Sequence, residues 1–526
     1  MKIATRALHI SLILAVSSLA IIGLVVFAPT AATANPNADV HPGEMTLTTS
    51  TISVTDVWGG AVESIALLSD HTVWTWGWND YGILGNGHGA SMFYTGTEYD
   101  SWLPIQVLGP NGIGYLTSIT AIAGGERHNA ALDANGEVWT WGWNYFGQLG
   151  IGTYCTNMNA PDCMGTTPVK IPGFTSVKAI ASRGYHTLAL KQDGTVWAWG
   201  YNDAGRLGDG TNIDRHSPVQ VNGLTGHGGV KEISGGGDVN AALMADHTLM
   251  AWGYNAYGAV GNGLINEAGQ WTPVEVSQST GLTNVVKIAT GWDHMVALDA
   301  NGNVWTWGNN SNGELGNGTT ISSSVPIKVA GVSNIIGVSA GDGSTVVLNA
   351  DGHVWAWGLI RHGDGANHSY GLTPVQVAGI DHVTLVRDRD WHVLAIKDDG
   401  TAWAWGSNQR GECGNGTVGG NTDTPGRVLF NFSTAPLITS APIATGTVGT
   451  SFSYTVTATG TLPITFTVTG LPAWANFNSP TITGAPNVSG TFPVTLTATN
   501  DFGHDVKRLT IFIGNFYTTY LPLVLR

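Results

Sequence analysis

The sequence predicts an all-β chain: a seven-bladed β-propeller followed by a small β-sandwich. Three observations carry this. A tryptophan-rich step ending in "WG" recurs seven times, each copy sits in the same order of short apolar runs and turn signals, and past residue 433 that grammar yields to period-two alternation rich in Thr, Val and Pro.

The step closes at Gly77, Gly142, Gly200, Gly253, Gly308, Gly358 and Gly406, at spacings of 65, 58, 53, 55, 50 and 48, so seven units cover residues 45–432. One unit, "VKAIASRGYHTLALKQDGTVWAWGYNDAGRLGDG…SPVQV" (177–221), reads as four short strands. Asp193-Gly194 between the second and third, like Asn135-Gly136, Asn301-Gly302, Asp351-Gly352 and Asp399-Gly400, is a tight-turn signal, because glycine accepts the positive φ such turns need. A longer loop of variable length separates strands three and four. That loop accounts for the uneven spacing.

Strand periodicity puts Trp74 and Trp76 of "VWTWG" on one face and Val73 and Thr75 on the other. The residue between the tryptophans is always small: Thr75, Thr140, Ala198, Ala251, Thr306, Ala356 or Ala404. A sheet with one bulky and one small face buries both by stacking on copies of itself, and a ring of such sheets is a propeller. The unit order alone is compatible with closure by packing or by exchange of a terminal strand.

Residues Gly125–Leu132, Val138–Gly142 and Asn144–Gly152, and again Gly291–Leu298, Val304–Gly308 and Asn309–Gly318, resemble the regulator of chromosome condensation repeat, with its "GxxHxxAL" segment, "DGxVWxWG" hairpin and "NxxGQLGxG" loop. The resemblance covers about three quarters of the chain and implies the propeller fold; activity does not follow from fold. Unit four departs with Met250 in place of the first tryptophan, unit six reads "GLIRHGDGANH" where the loop motif belongs, and unit seven puts Cys413 where Leu84, Leu149, Leu207, Val260 and Leu315 stand. A thiol in that slot is expected to be buried and unreactive.

From Pro436 to Gly514 the runs "SFSYTVTA", "ITFTVTG", "FPVTLTATN" and "RLTIFIG" predict an antiparallel sandwich (436–514) that resembles the immunoglobulin-like modules of bacterial surface proteins, which implies a spacer or adhesive unit. Asp501 and Asp505 are too few for a cadherin-style calcium site. The last twelve residues, "NFYTTYLPLVLR" (515–526), are apolar but too short to span a membrane.

At the other end Lys2, Arg6, the apolar run Leu8–Phe27 and "APTAATA" ending at Ala34 form the pattern of a signal peptide (1–34), with cleavage expected near Ala34 and retention as an anchor as the alternative. No cysteine lies near the cleavage region, which excludes a lipid-modified terminus. The leader holds two of the 21 basic and none of the 36 acidic residues, so its removal takes the net charge from −15 to −17. Such a surface opposes binding of nucleic acid, and secretion or cell-surface display is the expected location. In that compartment Cys155 and Cys163, in "TYCTNMNAPDCMG", are expected to form a short-range disulfide.

Catalytic constellations are missing: there is no GxSxG elbow, no HExxH, no phosphate-binding glycine loop and no cysteine with a motif-placed histidine. His128, His186, His294 and His392 each precede the first WxWG position by eleven residues, but Glu63, Val239 and Ser344 fill the other three places, so a metal ring is not expected and loop-backbone hydrogen bonds are. Thirteen of the 21 tryptophans are the WxWG positions; only Trp292 in "GWDH" and Trp391 in "DWH" echo the aromatic motif of the family's plant ultraviolet-B sensor. Light sensing and the family's guanine-nucleotide exchange are both intracellular, and export argues against each. Scattered acids near the axis leave a polysaccharide hydrolase as an alternative, and an architectural surface component as another.

The expected function is therefore non-enzymatic recognition of an extracellular protein or glycan by propeller loops, without a cofactor and with membrane contact only through an uncleaved leader. The longest loop, "HGASMFYTGTEYDSW" (88–102), supplies Phe93, Tyr94, Tyr99 and Trp102 as ligand-binding candidates; the disulfide loop adds Tyr154 and Met158.

Overall fold

Strand–turn–strand units of this kind assemble in the structure, a computed structural model that describes residues 52–89, 99–157, 160, 163–359, 371–430, 436–459, 464–500 and 503–515. Among these residues, seven four-stranded antiparallel sheets follow one another along the chain. Blade 1 comprises Val54–Gly59, Glu63–Leu68, Val73–Gly77 and Ser101–Gln106; the others span 119–170, 177–220, 230–275, 285–328, 335–376 and 383–427. The first strand of each blade lines the axis beside the first strand of the next.

The alternation of bulky and small faces sets how blades stack. Trp74 and Trp76 of blade 1 share a buried cluster with Leu394, Ala402 and Ala404 of blade 7, while Ile65, Leu67 and Val73 on the opposite face pack with Ile122, Ala131 and Trp141 of blade 2. The same rule joins every consecutive pair, and in blade 4 Met250 takes the tryptophan's place against Ala198 and Leu188 of blade 3. Because every blade uses four strands consecutive in the chain and blade 7 packs on blade 1, the ring closes by packing rather than by strand exchange.

Polar groups reinforce the stack. In six blades the second tryptophan is fully buried and donates its indole N–H to a loop carbonyl of the preceding blade: Trp141 to Ile83 (2.8 Å), Trp199 to Gln148 (2.9 Å), Trp252 to Arg206 (2.9 Å), Trp307 to Ala259 (2.9 Å), Trp357 to Glu314 (2.7 Å) and, across the closure, Trp76 to Glu412 (2.7 Å); in blade 7 the equally buried Trp405 indole has no partner among the described residues. The accepting loop is itself clamped by an asparagine. Asn202 Oδ1 accepts from the Leu207 N–H while its Nδ2 donates to the carbonyls of Thr211 and Ile213, and Asn79, Asn144, Asn255, Asn310 and Asn408 hold their loops by the same Oδ1 bond. Cys413 is buried in the repeated apolar slot as expected, and burial pushes its thiol up to about 12.

The C-terminal module has a four-stranded sheet in the order Ile443–Thr447, Gly503–Gly514, Gly490–Asn500, Thr465–Thr469 and a three-stranded sheet of Phe452–Thr455, Thr481–Gly484 and Ala475–Asn478. Phe452, Ile482, Leu496, Leu509 and Ile511 fill its core. Asp505 accepts the Ile438 N–H (2.7 Å), a structural use of that carboxylate; Asp501, the leader (1–34), the unit-six loop from Ile360 and the tail beyond Asn515 lie outside the described residues.

The indole bonds between blades predict unequal effects of one substitution. Trp199→Phe leaves the Gln148 carbonyl buried without its donor and should cost about 3 kcal/mol, whereas Trp197→Phe, whose half-buried indole bonds only Thr195 of its own blade, should cost about 1 kcal/mol, as read by urea denaturation.

Candidate functional site

Antiparallel pairing places the start of each second strand beside the end of each third strand, as His128 beside Gly142 and His294 beside Gly308. The loops joining strands one to two and three to four therefore share one face, and the Asn/Asp-Gly hairpins share the other. The first face gathers polar and aromatic side chains around the axis.

The short inner loops are tied to one another by backbone hydrogen bonds around the ring: Glu126 N–H to Gly184 (2.9 Å), Gly184 to Gly236 (3.2 Å), Asp238 to Trp292 (3.0 Å) and Trp292 to Gly341 (3.3 Å). The histidines begin the second strands. Each is buried and points into the next blade, where Nε2 meets Thr187 Oγ1 (2.8 Å from His128), Asn240 Oδ1 (2.9 Å from His186), Thr345 Oγ1 (3.0 Å from His294) or Ser64 Oγ (2.9 Å from His392). The expected loop-backbone bonds are thus corrected to side-chain bonds across the blade interface, because the backbone at a strand's start is already committed to its ladder. Burial drives His128 and His294 down to about 3 and His186 and His392 to about 4, so all four are neutral. A Cβ on Gly125 or Gly291 would run into the imidazole three residues on, which explains the "GxxH" spacing.

Blades 3 and 7 carry Arg183 and Arg389 where those glycines stand, and both cross the axis. Arg183 donates to Asp390 Oδ1 of blade 7 (2.9 Å) and to the Ala340 carbonyl of blade 6; Arg389 donates to the Arg183 carbonyl. These buried groups floor the mouth of the channel. Deeper, between the inner strands of blades 4 to 7, lies a cavity of about 290 Å³ lined in part by Glu232, Lys287 and Arg387.

Around the floor stand Glu126, Asp238, Asp293 and Asp342, all half-buried, with buried Asp388 below. Arg206 holds Asp238 (2.9 Å from Nε). Burial, then the Asp390 charge, raises Glu126 to about 8. Burial, then Asp238 and Asp342, raises Asp293 to about 7, and burial lifts Asp388 to about 7 and Asp342 to about 6.

Beside this mouth the longer loops of blades 7, 1, 2 and 3 form an aromatic belt. Arg410 lies 4.5 Å over Trp78, Tyr81 stacks on Trp143 (5.1 Å), Trp143 on Tyr145 (5.6 Å), Phe146 meets Tyr201 (4.4 Å), and Arg206 lies 4.9 Å over Tyr201. Trp78, Tyr145, Phe146, Tyr185 and Tyr201 keep part of their surface in solvent. The Cys155–Cys163 disulfide is present as expected and is buried against Tyr81 and Trp143, pinning the belt from below.

The sequence-derived candidates among the described residues do not form one patch. Phe93, Tyr94 and Met158 lie outside the described residues. Tyr99 stacks on His88 (5.5 Å); Trp102, 39 % exposed, packs on Gly411 of blade 7; Tyr154, 51 % exposed, stacks on His216 of blade 3 (3.9 Å). Trp102 and Tyr154 thus sit at different blade junctions. The belt was missed although part of its signal is legible: the residue after the "WG" glycine is aromatic in units one to four, as Trp78, Trp143, Tyr201 and Tyr254, and Asn309, Leu359 or Ser407 in the other three.

A family model described as "Regulator of chromosome condensation (RCC1) repeat" matches residues 70–132, 135–190, 193–243, 246–298 and 301–348, and a second under the same description adds 335–363 and 390–412. The chain belongs to the RCC1 repeat family. Each of the five matches of the first model straddles two blades, from the third strand of one to the second strand of the next, and so contains the loop that accepts the indole bond. A model described as "Putative Ig domain" matches 435–514.

Among curated RCC1 relatives, the ultraviolet-B receptor UVR8 of Arabidopsis thaliana is 31 % identical over 330 residues, 51 % of this chain and 70 % of that protein. The mitochondrial RCC1 domain-containing protein RUG3 of the same plant is 32 % identical over 50 % of this chain and 55 % of its own. Human E3 ubiquitin-protein ligase HERC2 is 32 % identical over 52 % of this chain, which spans 5 % of that protein. Human WBSCR16 (TM-score 0.59, 22 % identity, 68 % of this chain and 94 % of that one) and yeast RCC1, Prp20, bound to Kap60 (0.57, 20 %, 77 % and 92 %) share the propeller fold.

The raised carboxyls and lowered imidazoles give opposite slopes of stability with pH. Folded Asp388 keeps its proton up to about pH 7 whereas an unfolded aspartate loses it near 3.8, so its share of stability falls as pH rises from about 4 through 7; the histidines lose stability as pH falls below about 6.5. Asp388→Asn should therefore raise the melting temperature clearly at pH 8 and much less at pH 5, as read by thermal scans at both.

Proposed function

We propose that this protein is an exported, non-enzymatic binding protein whose propeller recognises another protein through the aromatic belt, with the immunoglobulin-like module as spacer or second contact. The observation that carries this reading is the set of half-exposed rings held in fixed positions. Tyr145, Phe146 and Tyr201 touch one another or Trp143, Arg206 braces one end, and the buried disulfide fixes the loop beneath. Aromatic rings of this kind dominate interface energies, and rings already ordered in the free protein lose little entropy on docking. Arg206 over the Tyr201 face adds a cation–π contact that holds the ring in place.

A protein partner is favoured over a glycan because the belt is broad and continuous over four blades rather than a single stacking platform. The fold neighbour Prp20 is itself recorded in complex with the protein Kap60. Secretion or surface display rests on the leader pattern of residues 1–34 and on the disulfide, which suits an oxidising compartment.

The test is capture of partners from a pool of surface and secreted proteins by the purified mature chain. Tyr145→Ala, Phe146→Ala and Tyr201→Ala together should weaken the captured interaction at least about 30-fold, the scale of a hot-spot loss, with a cooperative melting transition retained. Trp102→Ala with Tyr154→Ala should leave it within a few-fold. Undiminished capture by the triple variant, or equal loss in both, contradicts the assignment.

A further inference from the structure

The belt-bearing face has a second feature that the belt does not include. In blades 3, 4 and 5 the loop between strands three and four carries an aliphatic tip: Ile213, Leu264 with Ile265, and Ile321, which are 60, 65, 65 and 73 % exposed. Among the described residues one other large apolar side chain, Ile113, is exposed as much, and it lies on the hairpin face between blades 1 and 2. Single aliphatics scattered over a surface need no explanation. These are not scattered. Each occupies the same part of its loop, and the asparagine clamp holds its carbonyl: Asn202 Nδ2 to Ile213 (2.9 Å), Asn255 Nδ2 to Leu264 (3.1 Å) and Asn310 Nδ2 to Ile321 (3.0 Å). The loops are also tied onward, Gly210 N–H to the Trp271 carbonyl of blade 4 (3.1 Å) and Gly263 N–H to the Ser324 carbonyl of blade 5 (2.9 Å). Equivalent loops of a ring stand at one height, so the tips form a fixed row along one edge of the face. Two exposed amphipathic rings flank the row on blade 4. Tyr257 stands beside Tyr254 (6.3 Å), and Trp271 lies on Gly205 of blade 3 with its indole N–H on the Ala268 carbonyl (2.8 Å). The tip segments "GTNI" (210–213), "GLIN" (263–266) and "GTTI" (318–321) hold no ionisable side chain. Next to them Asp209 is paired with Arg215 (2.7 Å), Asp214 accepts the Asn202 N–H (2.8 Å), and Glu267 is exposed.

We propose that this edge docks on a neutral lipid surface, with the aliphatic tips of blades 3 to 5 among the acyl chains and Trp271 and Tyr257 at the level of the head groups. Composition separates the edge from the belt. Protein hot spots are rich in Trp, Tyr and Arg and poor in Leu, Ser and Thr, which is the make-up of the belt and not of the tips. A folded partner needs a matched pocket for every fixed tip, whereas a fluid interface closes around each one separately. Apolar groups beneath a level of Trp and Tyr follow the layering of a membrane interface, because those rings have an apolar body and a polar end. Charge selects the lipid: an acidic chain with Glu267 beside the tips is repelled by an anionic leaflet, and the uncharged Asn, Thr and Gly of the tip segments suit a neutral one. The belt lies on blades 7, 1, 2 and 3, so contact through the edge at blades 3 to 5 leaves it open to a protein partner.

The test is flotation of the full mature chain, which lacks the leader's apolar run, with vesicles of phosphatidylcholine and with vesicles of mixed phosphatidylcholine and phosphatidylglycerol. Partition onto phosphatidylcholine should saturate, and brominated phosphatidylcholine should quench tryptophan fluorescence, a part of which Trp271→Phe removes. Leu264→Asn/Ile265→Asn/Ile321→Asn should weaken partition at least about 30-fold, since burying one Leu or Ile side chain is worth roughly tenfold or more. The three side chains are exposed, so the variant should keep its cooperative melting transition. Ile113→Asn, equally exposed on the other face, should leave partition unchanged, and phosphatidylglycerol should weaken it at low salt. No flotation with phosphatidylcholine, unchanged flotation of the triple variant, or flotation that needs phosphatidylglycerol and is lost in salt overturns the proposal. So does loss of protein capture in the triple variant without vesicle binding, which gives the tips to a protein partner instead. Flotation needs no partner protein, so its failure leaves capture by the belt standing, and loss of capture in the belt variant leaves flotation unaffected.

Discussion

One hydrogen bond, repeated around the ring, carries the architecture: the indole N–H of a fully buried tryptophan to a loop carbonyl of the blade before it. The ring brings a large apolar surface that excludes water from the interface, and the N–H demands an acceptor at one place. The accepting carbonyl belongs to the residue just before the apolar slot of the loop. Its position is set by the asparagine clamp, so the loop's conformation and the blade contact are fixed together. In several interfaces the same carbonyl takes a second donor from the next blade, Asn129 at Ile83, Asn240 at Arg206, Thr345 at Glu314 and Ser64 at Glu412. The histidine of the preceding blade then meets that same donor residue at Asn240, Thr345 and Ser64. Removing one member leaves buried polar groups unpaired on two blades at once.

This coupling explains why the face that carries the belt can be rigid although it is built from loops. The inner loops are hydrogen-bonded from blade to blade, and the outer loops are anchored at the indole bond and the asparagine clamp. What varies between blades is the material beyond the clamp. Blade 2 uses that freedom for a disulfide and a ring cluster; blade 7 uses it to lay Arg410 on Trp78. Function on such a scaffold is a property of the side chains that the fixed loops present.

Much of the fold was legible because its physics is periodic. Alternation at period two placed Trp74 and Trp76 on the face that packs on blade 7, and the Asn/Asp-Gly pairs located the hairpins on the face away from the belt. The site was less legible. Exposed-looking aromatics in the longest loop drew attention to Tyr99 and Trp102, yet Trp102 is spent on Gly411 of the neighbouring blade. The residues that gather at the axis are separated by more than 200 positions in sequence, as Arg183 and Asp390 are, and only the order of blades in the ring brings them together. A trace was present: Arg183 and Arg389 replace the glycine of the "GxxH" spacing in two units, three apart among seven by way of the closure. A large side chain where a glycine makes room for an imidazole must leave the loop in another direction, and toward the axis is the direction open to it.

Blades locked to one another at the indole bonds give the belt-bearing face its fixed geometry. Hydrogen exchange of the tryptophan indole protons, resolved by nuclear magnetic resonance, tests it most directly. The account predicts that the indoles of Trp76, Trp141, Trp199, Trp252, Trp307 and Trp357 exchange slowly and with a common opening free energy, while those of Trp197 and Trp403, which bond threonines within their own blades, exchange far faster. Exchange of both groups at similar rates would contradict it.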